Sequence, residues 1–184
     1  MARGPALRLA AAALALAGSA GITMASQTAP FASRAEAEAY LRETLPRATA
    51  ANPRYRSKQD SGVLTRWLTK AIAFQESAGG VVVSTEETFD EYRGGGPPKT
   101  GTHQARFAID DVAVTLETSD QDVTEAGEAA HGVMFRCKAG QCVDAVWNGA
   151  PSTSAWTDMY LSDAATRQRV SDAFRALQKG PAGG

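Results

Sequence analysis

Two histidines and two cysteines are the side chains of this 184-residue chain best suited to acid–base, redox or metal chemistry. His103 and His131 each stand near the start of an expected strand, where either could serve as a general base. No serine elbow or other nucleophile spacing accompanies them. The sequence therefore assigns no catalytic residue, and a small hydrolase using His131 or His103 is retained as an alternative hypothesis.

Both cysteines lie in one short segment, at Cys137 and Cys142. Redox motifs usually place two residues between their cysteines at a helix start, whereas four stand here. A zinc site that adds the two histidines fits no ligand spacing. In an oxidising compartment the pair is expected to form a disulfide, and its spacing predicts a clip across a β-hairpin loop. We predict no metal and no cofactor.

The N-terminus has the pattern of a secretory signal. Arg3 and Arg8 are the only charged side chains before Arg34, and an apolar run of about ten residues follows them. Small residues offer cleavage after Ala20 or Ala25, so residues 1–25 are predicted to be a cleavable signal peptide. The apolar run is too short to span a bilayer, which predicts an exported protein, periplasmic or extracellular, with no transmembrane anchor after cleavage.

Charge is distributed unevenly along the mature chain. Cleavage after Ala25 leaves 17 basic and 20 acidic side chains, a net charge of −3. Residues 26–75 carry eight basic and four acidic side chains, whereas residues 76–135 carry three and twelve. A nucleic-acid-binding protein is expected to be basic overall, so no nucleic-acid partner is predicted.

Residues 26–62 are predicted to form an N-terminal helix followed by a basic loop. Ser33 and Glu36 have the spacing of a capping box, which starts a helix at about 33–45. Pro46 is the expected end of that helix. The remainder shows no sustained periodicity and is predicted to be a loop.

Residues 63–184 are predicted to form a β-rich domain with a C-terminal helix, because short apolar runs recur between Gly, Pro, Asp and Asn. The carboxylates Glu86, Glu87, Asp90 and Glu91 are expected on a solvated strand edge. The predicted strands are seven, at about 63–75, 80–92, 102–109, 112–118, 131–138, 141–148 and 154–160.

The chain is expected to end in an amphipathic helix at about 163–179, capped by Ser162 or Asp163 and stopped at Gly180–Pro181. Its apolar positions recur at helical spacing and should pack against the sheet. They are Val170, Ala173, Phe174 and Leu177.

Seven strands followed by such a helix resemble the pleckstrin-homology-like barrel over residues 63–179. The resemblance implies an α+β fold in which two near-orthogonal antiparallel sheets, of four and three strands, are closed at one end by the helix. It also implies a binding role, because that fold hosts lipid-headgroup, peptide and protein recognition. A lipocalin-like barrel and an open sheet with both helices on one face remain alternative architectures.

The three tryptophans fall on three different predicted strands. If two of them surfaced near Arg66 and Arg136 they would form a recognition patch, so the possible binding surface comprises Arg66, Trp67, Arg136, Trp147 and Trp156. We expect an exported, non-enzymatic binding domain whose partner is a protein, peptide, glycan or lipid headgroup. A lesser alternative is an inhibitor of a secreted enzyme that presents loop 93–101.

Overall fold

The computed structural model describes residues 30–60 and 62–178. The predicted signal peptide and the predicted helix stop at Gly180–Pro181 lie outside these residues. The described chain is an α+β domain with a helix near each end. Its elements are α1 Arg34–Ala50, β1 Tyr55–Ser57, β2 Val63–Ser77, β3 Gly80–Arg93, β4 Lys99–Ala108, β5 Val112–Thr124, β6 Ala129–Cys137, β7 Val143–Trp147, β8 Ala150–Ser154, β9 Trp156–Tyr160 and α2 Ala164–Leu177.

The nine strands form one antiparallel sheet in the order β8-β7-β4-β3-β2-β1-β5-β6-β9. The predicted α+β class and antiparallel pairing are confirmed. The predicted number of seven strands is wrong, because β1 and β8 both belong to the sheet. The resemblance to the pleckstrin-homology-like barrel stays a prediction.

Both additional strands are short and polar. Strand β1 lies where the sequence predicts a loop, yet Tyr55 and Arg56 pair with β2 on one side and with β5 on the other. Strand β8 contains Pro151, which a sheet tolerates at an edge, where β8 lies. Asn148 and Gly149 form its two-residue turn with β7, both with positive φ, as a type I′ hairpin requires.

Strands β8 and β9 are the two edges of the sheet and are consecutive in the chain, joined through Ala155. The sheet therefore curves enough to bring the end of one edge strand to the start of the other. The Cys137–Cys142 disulfide lies at this corner, with the two Cα atoms 5.7 Å apart, so the predicted disulfide is confirmed. The predicted hairpin is wrong, since β6 pairs with β5 and β9 whereas β7 pairs with β4 and β8. The backbone N–H groups of Cys137 and Cys142 instead donate to the carbonyls of Ala155 and Ser154.

Both helices pack on the inner face of the sheet, over one half of it. Helix α1 contributes Ala37, Leu41 and Leu45 to the core, and α2 contributes the four apolar residues predicted from its spacing, all fully buried. Phe135 of β6 lies edge-on against Phe174 of α2, with ring centroids 4.7 Å apart. Within the described residues, neither helix is long and apolar enough to cross a membrane.

Ser33 is confirmed as the cap of α1, because its side chain accepts a hydrogen bond from the Glu36 backbone, while the Glu36 side chain accepts one from the Ala32 N–H. The predicted end at Pro46 is wrong, since the helix continues to Ala50. Proline removes one helical hydrogen bond. Leu41, Leu45 and Thr49 nevertheless share one buried face, and the packing of that face compensates for the lost bond.

Candidate functional site

The half of the inner face that the helices leave uncovered forms a cavity of about 620 Å³. Strands β2, β3, β4, β7 and β8 supply one wall, β1, β5 and β9 supply the other, and α1 contributes Thr49. The surface of the cavity is mainly apolar, although seven serine and threonine residues and five carboxylates also line it. A recess of this size and composition is typical of small-molecule sites.

One wall is built by two cross-strand rows of side chains. Trp67 of β2 pairs with Phe89 of β3, and on the next row Glu87 pairs with His103, which pairs in turn with Trp147 of β7. The rings of Trp67, Phe89, His103 and Trp147, called here the aromatic wall, are in mutual contact. His103 and Trp147 are closest, with ring centroids 4.2 Å apart, and Trp67 meets Trp147 edge-on at 5.6 Å.

Gly101 gives the aromatic wall its shape. It lies directly opposite Phe89 across the β3–β4 pair. A Cβ atom at this position would come within 2.2 Å of the Phe89 ring. The absence of a side chain therefore lets the Phe89 ring lie flat over the β4 backbone and reach Trp67.

A buried contact between a histidine and a carboxylate lies within the same wall. The Nδ1 atom of His103 is 2.9 Å from Glu87 Oε2, and the two residues are only 6 % and 8 % exposed. The prediction that Glu87 lies on a solvated strand edge is wrong. His103, expected near the start of a strand, lies in the middle of β4. Alternation along β3 and β4 turns both side chains to the inner face of the sheet, where the neighbouring side chains of the cavity wall shield them from water.

Helix α1 is hydrogen-bonded to the middle of β2, next to Trp67. A bulge at Lys70 breaks the β2–β3 register between Thr69 and Ala71. The Thr69 N–H donates to Thr49 Oγ1, which in turn donates to the carbonyl of Leu45. The bulge keeps Trp67 and Thr69 on the cavity face while Ile72 stays in the helix-covered core.

The opposite wall carries a second polar group around Asp158 of β9. Burial, followed by the nearby charges of Glu87 and Asp122, raises the pKa of Asp158 to about 7. The residue keeps part of its surface exposed, but β9 and the facing strands displace most water from the carboxyl. Asp122 accepts hydrogen bonds from the hydroxyls of Tyr160, at 2.6 Å, and Ser119, at 3.2 Å.

Tyr55 completes this wall. It is 3 % exposed, and its ring contacts the Tyr160 ring with centroids 4.8 Å apart. Burial raises the pKa of Tyr55 to about 12, so the phenol stays protonated. Its hydroxyl has no hydrogen-bond partner among the described residues.

No family model, curated protein or solved structure matches this chain. The cavity itself is therefore the observation that bears on function.

The five residues of the predicted binding surface do not lie together: the three tryptophans line the cavity, whereas the two arginines do not. Trp67 and Trp147 come together in the aromatic wall, and Trp156 lines the other side of the cavity mouth with 49 % of its surface exposed. Arg66 instead donates to the Ala50 carbonyl at the end of α1. Arg136 forms an ion pair with Glu117, at 2.6 Å, beside a smaller groove that Trp156 also lines.

The two histidines have different surroundings. His131 is half-buried, its Nδ1 is 2.9 Å from the Thr118 hydroxyl, and it does not line the cavity. His103 lines the cavity and contacts a carboxylate. Within residues 30–60 and 62–178, no three His, Cys, Asp or Glu side chains are grouped to hold a metal ion.

Proposed function

We propose that this protein is an exported binding protein that takes one small organic ligand into the cavity. The observation that carries the proposal is an open cavity of about 620 Å³ with a preformed aromatic wall and a polar pair within it. Typical ligand pockets occupy about 300–1,000 Å³ and combine apolar walls with a few placed polar groups. The signal-like N-terminus and the disulfide, which is compatible with export, support the compartment.

The predicted partner classes differ in how well they suit the cavity. A cavity of about 620 Å³ holds one small group, so a glycan residue, a single side chain or a lipid headgroup would fit it more readily than a folded protein surface. The pleckstrin-homology-like resemblance agrees with a binding role. Inhibition of an enzyme through loop 93–101 stays a prediction, and that loop is exposed.

Nile red, a neutral apolar dye, provides a direct test. We expect its fluorescence to rise on binding to the intact protein, and Trp147→Ala to weaken the apparent affinity about tenfold because the aromatic wall loses its outermost ring. Leu116→Ala is the matched control, since Leu116 is 39 % exposed against 42 % for Trp147 and does not line the cavity. Absence of dye binding, or equal affinity in all three proteins, would contradict the proposal.

A second candidate function, acid–base catalysis at His103, is favoured by its hydrogen bond to Glu87. Such a carboxylate would fix the orientation of the imidazole. Among the described residues no hydroxyl or thiol is hydrogen-bonded to His103, and its ring is packed against Trp147. This geometry supports a structural or binding role better than nucleophilic catalysis.

Hydrolysis of 4-nitrophenyl acetate separates the two candidates. If the cavity only binds, the double variant Glu87→Met/His103→Phe and the control His131→Asn should react at the same rate as the intact protein. A loss of about tenfold or more in the double variant alone would instead favour catalysis. The measurement requires that the double variant folds, which circular dichroism checks.

A further inference from the structure

The charges that line the cavity are mostly negative. Among the described lining residues the carboxylates outnumber the single arginine, Arg93, five to one. Arg93 lies at the mouth, 3.5 Å from Asp60 and 3.9 Å from Glu91, so its charge is balanced there. The five carboxylates are Asp60, Glu87, Glu91, Asp122 and Asp158.

Deeper in the cavity the negative charge is only partly balanced. Glu87 contacts His103, and Asp122 accepts two hydroxyl hydrogen bonds. Asp158 forms no ion pair within the described residues; the carboxylates of Glu87 and Asp122 interact with it unfavourably, whereas His103, Arg136 and the Tyr160 hydroxyl interact with it favourably. A cation in the cavity would supply the charge that these groups lack.

The aromatic wall provides the other half of a cation site. Indole rings attract ammonium groups through their π faces, by about 0.5–2 kcal/mol depending on desolvation. Trp147 lines the cavity and exposes 42 % of its surface, and Trp156, which also lines it, exposes 49 %. The same carboxylates would repel an anionic ligand, and a neutral apolar ligand would still bind through the aromatic wall, but more weakly than a cation because it leaves the carboxylates without a positive partner.

We infer that the ligand of this cavity is an organic cation, an amine or quaternary ammonium group attached to an apolar body. The inference rests on the proposed binding function and names the class of ligand. The ammonium group is held between the aromatic wall and the carboxylates of Glu87 and Asp158, while the apolar body occupies the remaining volume.

Binding of such a cation is coupled to a proton at Asp158. The titratable groups that face this carboxyl are Glu87 on β3, His103 on β4, Asp122 on β5, Arg136 on β6 and Tyr160 on β9. Because the Asp158 pKa lies at about 7, proton and ligand cation compete for the carboxylate near neutral pH. Affinity for the cation therefore rises as the pH increases from about 6 to about 8.

Three probes with the same hydrocarbon frame test the inference: 4-phenylbutylamine, 4-phenylbutan-1-ol and 4-phenylbutyrate, each competing with Nile red. At about pH 8 we expect the amine to bind about tenfold more tightly than the alcohol, and the carboxylate to bind weakest. Equal or tighter binding of the alcohol or the carboxylate would overturn cation selectivity while leaving the binding function intact. If Nile red itself does not bind, the binding function fails, and the cation inference with it.

The variant Asp158→Asn tests the role of the carboxylate. We expect about tenfold weaker amine binding at about pH 8, and loss of the pH dependence, because the amine stays protonated throughout this range. Asp144→Asn, on the exposed outer face of β7, is the matched control and should behave like the intact protein. Unchanged pH dependence in Asp158→Asn would overturn the inference.

Discussion

The substitution His103→Phe is expected to lower the free energy of unfolding by about 3 kcal/mol. Phenylalanine keeps a ring against Trp147, so the apolar packing is largely retained. Glu87, however, loses the partner 2.9 Å from its carboxylate and stays 8 % exposed, and a buried unpaired charge is strongly unfavourable. Denaturation by urea at neutral pH measures the change.

The double variant Glu87→Met/His103→Phe is the control that isolates the pair. With both polar groups replaced by apolar ones of similar size, the free energy of unfolding should return to within about 1 kcal/mol of the intact protein or exceed it. A double variant as unstable as His103→Phe would show that packing, and not the unpaired carboxylate, causes the loss. The coupling energy from the four proteins gives the interaction directly.

The substitution Asp158→Asn is expected to raise the free energy of unfolding by up to about 4 kcal/mol at about pH 8. In the unfolded chain this carboxyl ionises near pH 3.8, as an ordinary aspartate does, whereas in the folded protein its pKa is raised and it holds its proton until about pH 7. The folded state therefore binds more protons in this window, and the intact protein loses stability as the pH rises through it. Asparagine removes that loss.

Urea denaturation at about pH 4, 6 and 8 checks this expectation. The stabilisation by Asp158→Asn should be near zero at the lowest pH and largest at the highest. The control Asp144→Asn, whose side chain is exposed, should follow the pH dependence of the intact protein. Stabilisation of equal size at all three pH values would show that the asparagine acts through packing and not through the ionisation of Asp158.

The two predictions describe the same feature of the cavity. Glu87 and Asp158 are polar groups placed where apolar side chains would give an equally or more stable protein. A carboxyl with a raised pKa, such as that of Asp158, is more common at functional sites than elsewhere, although structural ion pairs also perturb pKa values. Their position facing an open cavity is the reason to connect them with ligand binding.

Local signals in the sequence predicted the helices well. The helix cap at Ser33 and the apolar spacing that ends at Leu177 each depend on a few neighbouring residues, and the structure confirms both. The Asn148–Gly149 turn is an equally local signal that would have revealed the β7–β8 hairpin. It was obscured because Pro151 and the polar residues around it do not resemble a central strand.

Features that depend on contacts between residues far apart in the chain could not be predicted from local sequence signals. The helical continuation past Pro46 depends on burial of Leu45 and Thr49 against the sheet. The three-residue strand β1 exists because β2 and β5 flank it on both sides. The cysteine pair has the spacing of a hairpin, but the backbone groups that a hairpin would use are bonded to Ser154 and Ala155.

The sequence by itself determined the α+β class, the start of α1, the buried face of α2 and the disulfide, because these follow from the order and spacing of nearby residues. The tertiary structure alone decided that His103 meets Glu87, that Trp67 meets Trp147, and that Asp158 faces them from the far edge of the sheet. Strand register determines the contacts of His103 with Glu87 and of Trp67 with Trp147. The curvature of the sheet, which brings β9 towards β8, determines the position of Asp158. Chemistry at this site is therefore a property of the curved sheet, in which residues far apart in the chain share one cavity.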